Sequence, residues 1–236
     1  RDYRVYQLSQ KNDTQLYLSS KMTVNDIIEF ESDTVSIATG AKWRNDWIGS
    51  TNFEEIKTKS HNLLTPDDIM SNKTSNISPS SFIVYDDDHY YMASVITEKL
   101  LKDGHSVTYV TPLPTISTWT QYTLEQVAIT ERLRSLGANF ILNCKMTQNQ
   151  GFLNLIDNKN FEINIKNLVF VGAKSSNDEL FRDKKLMNSI ENIFLTGDCL
   201  APRTIQAAVL SGHQVARDIL NRENKPKPLK REQTIH

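Results

Sequence analysis

A chain of 236 residues with 27 Lys+Arg against 28 Asp+Glu carries a formal charge of −1, which removes any electrostatic case for nucleic acid or an anionic membrane as partner. No apolar run approaches the ~20 residues needed to span a bilayer, and two cysteines, Cys144 and Cys199, cannot build a disulfide framework or a Cys-rich metal site. The length allows one large or two small domains with a sizeable core, in a reducing, cytoplasmic setting. Arg1 to Gln10 reads as the tail of a helix and Gln15-Leu-Tyr-Leu18 as a short strand. Thr23 is placed to cap a helix over Val24 to Phe30, with Asp26 in the first turn. A strand over 34–39 follows and ends in Ala38-Thr39-Gly40. No Gly-x-Gly-x-x-Gly precedes Val35, so a dinucleotide-type domain here would have its first βαβ unit upstream.

Residues 42–64 carry Trp43, Arg44 and Trp47 in a polar, poorly periodic stretch. Ordinary packing of a long loop is preferred there over aromatics laid against a nucleotide. Thr65-Pro66-Asp67-Asp68 has the residues of a helix start, and 71–81 reads as a loop. Residues 81–112 form the cleanest βαβ pattern: strand Phe82 to Tyr85, helix Tyr90 to Lys102 stopped by Gly104, strand Val107 to Val110. A nicotinamide-binding domain would carry glycines after the first of these strands; the chain has Asp86-Asp-Asp-His-Tyr-Tyr-Met92. Side chains fill the space a pyrophosphate needs, and each carboxylate repels phosphate by ~1 kcal/mol in water and ~4 at an intermediate dielectric. The reading is a dinucleotide fold without its dinucleotide, with Asp88 capping the helix. A metal at the acids is disfavoured, because three consecutive residues rarely converge on one ion.

Beyond it, Thr123 is expected to cap a helix through Leu124, Val127, Ala128, Leu133 and Leu136, closed by Gly137. Strands at 140–144, 152–156 and 161–165 read as an antiparallel meander with turns at 150–151 and 157–160, and 168–173 as a buried strand. Ile193-Phe-Leu-Thr196 is a further buried strand, broken by Gly197 and Asp198, and a helix starts near Thr204. A carboxylate between strand end and helix start suits a sugar hydroxyl, and the free N–H groups suit a phosphate or polar ring; Asp198 merely capping the turn is the alternative. Arg203 is either a phosphate partner or a solvated arginine. His89 and His213 have no partner legible in the sequence.

Taken together, Ala38-Thr39-Gly40, Thr196-Gly197-Asp198, Asp86 to Met92 and Trp119 to Gln126 resemble the C-terminal half of the trimethylamine dehydrogenase and dimethylglycine or N-methylproline demethylase relatives in the old-yellow-enzyme superfamily. The resemblance implies an α/β chain with two Rossmann-like dinucleotide-binding domains of the glutathione-reductase type. Residues 1–74 and 190–225 would form an incomplete, discontinuous ADP- or FAD-binding domain. Residues 75–189 would be an inserted NAD(P)-binding-like domain with a degenerate phosphate loop, and 226–236 a tail. It places Thr39 and Gly40 where the domains meet, Gly197 and Asp198 beside a ribose or ribityl chain, and Arg203, Thr204, Ile205 and Gln206 at a helix start facing the nucleotide. It implies a C-terminal nucleotide-binding module, inactive alone, of an FMN- and [4Fe–4S]-dependent oxidoreductase that demethylates N-methylated amines, with the catalytic barrel outside this chain. Four thiolates are needed for such a cluster and two cysteines are present. The implied partners are the protein's own N-terminal barrel, an electron-transferring flavoprotein and a second copy of the full-length protein. An NAD(P)H-dependent FAD reductase and a non-catalytic nucleotide-binding or docking module are the alternatives. The first of these calls for a redox cysteine pair and a glycine fingerprint near residue 85, both missing from the sequence.

Overall fold

In the computed structural model, residues 2–53, 62–71, 78–147, 151–163 and 166–220 are described. The chain divides into two compact units, residues 1–40 with 177–236, and residues 41–176. The expected 226–236 tail, residue 150 of the turn at 150–151, the end of the 161–165 strand and parts of the 42–64 and 71–81 stretches lie outside the described residues.

The first unit opens with α1 (Asp2–Ser9), α2 (Val24–Glu29) and β1 (Thr34–Ile37). Thr23 caps α2 in a full capping box: its hydroxyl accepts from the Asp26 N–H, and the Asp26 carboxylate accepts from the Thr23 N–H at 2.6 Å. Between these helices the expected strand at Gln15 to Leu18 does not form; those residues are irregular and largely exposed, and no strand among the described residues pairs with them to satisfy their backbone.

The second unit runs β2 (Ala41–Trp43), β3 (Asn62–Leu64), α3 (Pro66–Met70), β4 (Ser81–Asp86), α4 (Met92–Lys102), β5 (Ser106–Val110), α5 (Gln126–Ser135), β6 (Asn139–Ile141), β7 (Cys144–Met146), β8 (Phe152–Asn154), β9 (Asn160–Phe161), β10 (Asn167–Val171) and β11 (Lys174–Ser176). Its main sheet has the order β3-β10-β4-β5-β6, every pair parallel. Parallel strands covered on both faces read as continuous apolar runs, and Phe82-Ile-Val-Tyr85 is such a run. The pleat sends Phe82 and Val84 to one face, where Ile69 of α3, Ala93, Ile96 and Leu100 of α4, and Ile129 and Leu133 of α5 pack on them. Ile83 and Tyr85 point to the other face, which is filled by Trp47, Cys144, Met146, Phe152, Leu168 and Phe170. The antiparallel sheet β7-β8-β9 thus supplies a second covering layer.

Two local expectations change in this unit. Residues 140–144 do not open the meander: β6 is the parallel edge strand of the main sheet, and the meander begins at Cys144. Nor does Thr123 cap α5. A 3-10 turn over Thr118–Thr123 intervenes, Leu124 takes φ 62°, and no side chain caps the helix. The Thr123 hydroxyl is committed to the Thr120 carbonyl, at 3.0 Å.

The chain returns to the first unit with α6 (Glu179–Arg182), α7 (Lys184–Ser189), β12 (Asn192–Leu195) and α8 (Ile205–Leu220). β1 and β12 pair in parallel, Thr34 opposite Asn192, over a small core of Ile27, Ile37, Leu186, Ile190 and Cys199.

The expectation of two Rossmann-like domains is therefore corrected. Among the described residues the first unit has one two-stranded parallel sheet, β1-β12, and not an open doubly wound sheet. The domain boundaries also differ, falling after residues 40 and 176 rather than after 74 and 189. The physical reason is that β3 joins the main sheet through β10 and Trp47 fills that sheet's second face, so residues 41–74 belong with the βαβ pattern that follows them.

Candidate functional site

After β4 the chain continues to β5 and β6 on one side, and β10 comes back on the other. In open α/β sheets the crevice outside the carboxyl ends of strands at such a reversal is where ligands bind. Here the crevice is bordered by Asp86-Asp-Asp-His89 at the end of β4 and by Gly172-Ala173 at the end of β10.

Asp86 continues the alternation of Phe82 and Val84 and faces the helices, fully buried. Its carboxylate accepts from the N–H groups of Asp88, at 3.2 Å, and His89, at 2.8 Å, and from the Tyr109 hydroxyl. Burial pushes its carboxyl up to about 7, against which the Tyr109 and His89 hydrogen bonds act. The Tyr109 oxygen also accepts the Ser117 N–H at 3.1 Å, so Asp86 ties the turn after β4 to the one after β5. The Tyr109 hydroxyl itself is driven far above the usual phenol range by burial and by the neighbouring Asp86.

Asp87 is equally buried and turns to a different element. Its carboxylate accepts from the N–H of Thr51, 3.1 Å to each oxygen, from the N–H of Asn52 at 3.2 Å, and from the Thr51 hydroxyl. Its main-chain carbonyl accepts from the Ser50 N–H at 3.1 Å and the Ser50 hydroxyl at 2.8 Å. The loop over residues 47–52 is held at both ends of the crevice, because the Ala173 N–H donates to the Ile48 carbonyl at 3.0 Å. Two glycines make the approach close enough. A Cβ on Gly49 would stand 2.0 Å from Asp87 Oδ2, and one on Gly172 would stand 2.3 Å from the Phe170 ring and 2.9 Å from the Ile48 oxygen.

His89 completes the cluster, 2 % exposed and at φ 62°. Neither ring nitrogen has a hydrogen-bond partner. Nδ1 lies 3.9 Å from Asp86 Oδ2 and Nε2 lies 3.6 Å from Asp87 Oδ1. Burial holds the imidazole below its ordinary value, and the Asp87 charge opposes that. Asp88 is raised by burial and lowered by Lys174; the expected cap at the start of α4 is not made, since no side chain caps that helix. No group of three or more His, Cys, Asp or Glu among the described residues is arranged to hold a metal.

The residues expected at a nucleotide site all lie in the first unit. Thr39 donates its hydroxyl to the Asn177 carbonyl, and the Asn177 amide returns a bond to the Thr39 carbonyl at 3.1 Å. Gly40 has φ 74° and accepts from the Asn177 N–H at 2.9 Å. The Cys199 thiol donates to the same Asn177 carbonyl at 3.2 Å. Gly197, at φ 65°, donates to the Ser211 hydroxyl at 2.8 Å. Asp198 Oδ1 accepts the Arg203 N–H at 3.3 Å, and Thr204 Oγ1 accepts the Ala207 N–H at 3.4 Å. Ile205 is 85 % exposed, and Gln206 beside it is exposed. The structure thus gathers Thr39 with Cys199, Gly197 with α8, and Asp198 with Arg203, through bonds made within the chain. Sequence reasoning missed Gly49, Thr51, Asn52, Tyr109 and Ser117. The small polar run Gly49-Ser-Thr-Asn52 signals a turn, but its pairing with Asp87 is a tertiary contact.

Comparison with known proteins identifies the sheet that carries this cluster. A family model for the OYE-like second alpha/beta domain matches residues 64–171. Residues 64–171 are thus similar to an OYE-like second α/β domain. Over 99 % of its length the chain is 30 % identical to dimethylamine dehydrogenase of Hyphomicrobium sp. (strain x), covering 36 % of that protein. The solved histamine dehydrogenase from Rhizobium sp. 4-9 superposes with a TM-score of 0.86 at 33 % identity, over 98 % of this chain and 36 % of that one. The 6-hydroxypseudooxynicotine amine oxidase from Pseudomonas geniculata N1 gives 0.81 at 34 % identity, over 89 % and 32 %. The chain therefore spans about a third of the length of the amine-oxidising relatives it matches, and its homologues are oxidoreductases acting on amines.

The match overturns two expectations. The OYE-like α/β domain replaces the pair of Rossmann-like domains. It likewise replaces the C-terminal nucleotide-binding module lacking the catalytic barrel, and the likeness gives no support to ADP or FAD in these residues. Among the described residues no helix is long and apolar enough to cross a membrane.

Proposed function

We propose that the protein is an amine-oxidising dehydrogenase to which this chain contributes the OYE-like second α/β domain. The observation that carries the reading is the likeness to dimethylamine dehydrogenase and histamine dehydrogenase over nearly the whole chain at 30 % and 33 % identity. Placement toward the C-terminal half is supported by the resemblance of the 38–40 and 196–198 stretches. The domain acts as a scaffold: its cluster of Asp86, Asp87 and His89 is sealed from solvent and offers no group to a substrate. The FMN and four-iron cluster expected of such an enzyme are held by other residues. A four-iron cluster needs four thiolates, whereas this chain has Cys144 and Cys199, both buried and in different units. An electron-transferring flavoprotein is the proposed acceptor. Expression of the complete polypeptide, followed by anaerobic titration with dimethylamine, histamine and NADPH, tests the reading. Bleaching of a flavin spectrum by an amine and not by NADPH is expected; reduction by NADPH alone would overturn it.

A further inference from the structure

Two residues compete for one carboxylate oxygen in the sealed cluster. Asp87 Oδ1 accepts the Thr51 N–H at 3.1 Å and the Thr51 hydroxyl, and His89 Nε2 stands 3.6 Å from the same atom without a hydrogen-bond partner. A buried imidazole with both nitrogens unpaired is left with the desolvation cost of each missing bond, so His89 is the unsatisfied member of the group. We propose that His89 and Asp87 form a proton-operated latch: on protonation the imidazolium draws the Asp87 carboxylate away from Thr51 and Asn52, and the 47–52 loop loosens from the carboxyl edge of the sheet.

The geometry sets both states. With His89 neutral, Asp87 serves the loop through two backbone N–H groups and a hydroxyl, and the loop closes the crevice between β4 and β10. With His89 charged, closing the 3.6 Å gap to the ~2.8 Å of a charge-assisted bond takes under an ångström of movement, and that movement lengthens the bonds to Thr51 and Asn52. Loop anchors independent of Asp87 remain: Trp47 against Phe170, with ring centroids 4.9 Å apart, and the Ala173–Ile48 bond. The loop is thus released at its Gly49–Asn52 end and not detached.

The charged and titratable groups around His89 all bear on the switch. Asp86 lies farther off, 3.9 Å from Nδ1; burial raises its carboxyl to about 7 and it is already engaged by Tyr109 and two backbone N–H groups, so the imidazolium turns to Asp87, 3.6 Å from Nε2. Asp88 is set off by Lys174. Tyr109, bonded to Asp86, and Tyr85, beside Asp87 on the meander face, are both held neutral by burial.

Amide hydrogen exchange in the intact protein tests the latch, expressed as protection factors so that the intrinsic pH dependence cancels. Protection of the Thr51 and Asn52 amides is expected to fall at least tenfold between pH 7.5 and pH 5.5 in the wild type. His89→Asn, which suits a left-handed backbone and does not titrate, should show no such fall. The His89 ring resonances should titrate in step with the loss of protection. Constant protection in the wild type, an equal fall in His89→Asn (which would assign the effect to Asp86), or ring titration out of step would each overturn the proposal.

Discussion

Thr51 donates both its N–H, at 3.1 Å, and its hydroxyl to the carboxylate of Asp87, a residue 36 positions further along the chain. This pair replaces an external anion with an internal one. The backbone N–H groups of residues 51 and 52, which would otherwise suit a phosphate or carboxylate, are taken up by the chain's own side chain. Repulsion between carboxylates and a pyrophosphate, the argument from sequence, is therefore the smaller part of why this crevice is closed. Asp87 also holds a loop across it.

Gly49 is the tightest point of that closure. In Gly49→Ala the new methyl group would fall 2.0 Å from Asp87 Oδ2, and neither the clamped carboxylate nor the loop can yield without losing hydrogen bonds. A loss of about 2 kcal/mol or more is expected, read as a lowered urea midpoint with unchanged slope. Wild-type stability for this variant would refute the close packing.

Asp86 gives a pH-dependent signature. Its carboxyl is raised from 3.8 to about 7 by burial, so the folded state binds the proton more tightly than the unfolded one. Stability from this group is fully present at low pH and is lost as pH rises from about 4 through 7, at up to ~1.4 kcal/mol per pH unit. His89, held low by burial, contributes in the opposite sense, losing stability as pH falls below 6.5. Asp86→Asn removes the first effect alone. Its stability relative to wild type should therefore climb as pH rises from 4 to 7 and level off above, in denaturation curves measured at each pH.

Packing on the helix face should show in paired alanine variants. Leu100 is fully buried against β4 and β5 whereas Val127, on the exposed side of α5, is not. Leu100→Ala should cost about 2–5 kcal/mol. Val127→Ala should stay within about 0.5 kcal/mol. Equal effects would mean that α4 does not seat on the sheet as described.

The two cysteines report on folding. Both are buried, and burial pushes the Cys144 thiol up to about 11, which lowers its thiolate fraction and hence its reactivity. A thiol reagent such as DTNB should label neither cysteine on the minute timescale in the native protein and both in denaturant. Rapid native labelling of Cys144 would show that the meander leaves the sheet's second face open.

Local physics was legible without the structure. Thr23 and Thr65 each head a capping box, with Asp26 and Asp68 as the returning acid, because capping is decided within four residues. The 82–85, 107–110 and 168–173 strands and the helix before Gly104 follow from apolar periodicity and end signals alone. What the sequence could not decide is which elements share a sheet. Residues 139–141 look like any short apolar strand, yet pairing with β5 makes them a parallel edge strand and leaves the meander to start at Cys144. Residues 42–64 look like a long polar loop, yet β3 pairs with β10 and Trp47 fills a core with residues as distant in sequence as Phe170. Asp86 to His89 announced a departure from a phosphate loop; that Asp86 would serve Tyr109, Asp87 would serve Thr51 and His89 would be left between them depended on contacts between segments 23 and 36 residues apart. Capping and periodicity act within a turn or two of chain, whereas strand order and burial are settled by long-range pairing, which a single sequence does not specify residue by residue.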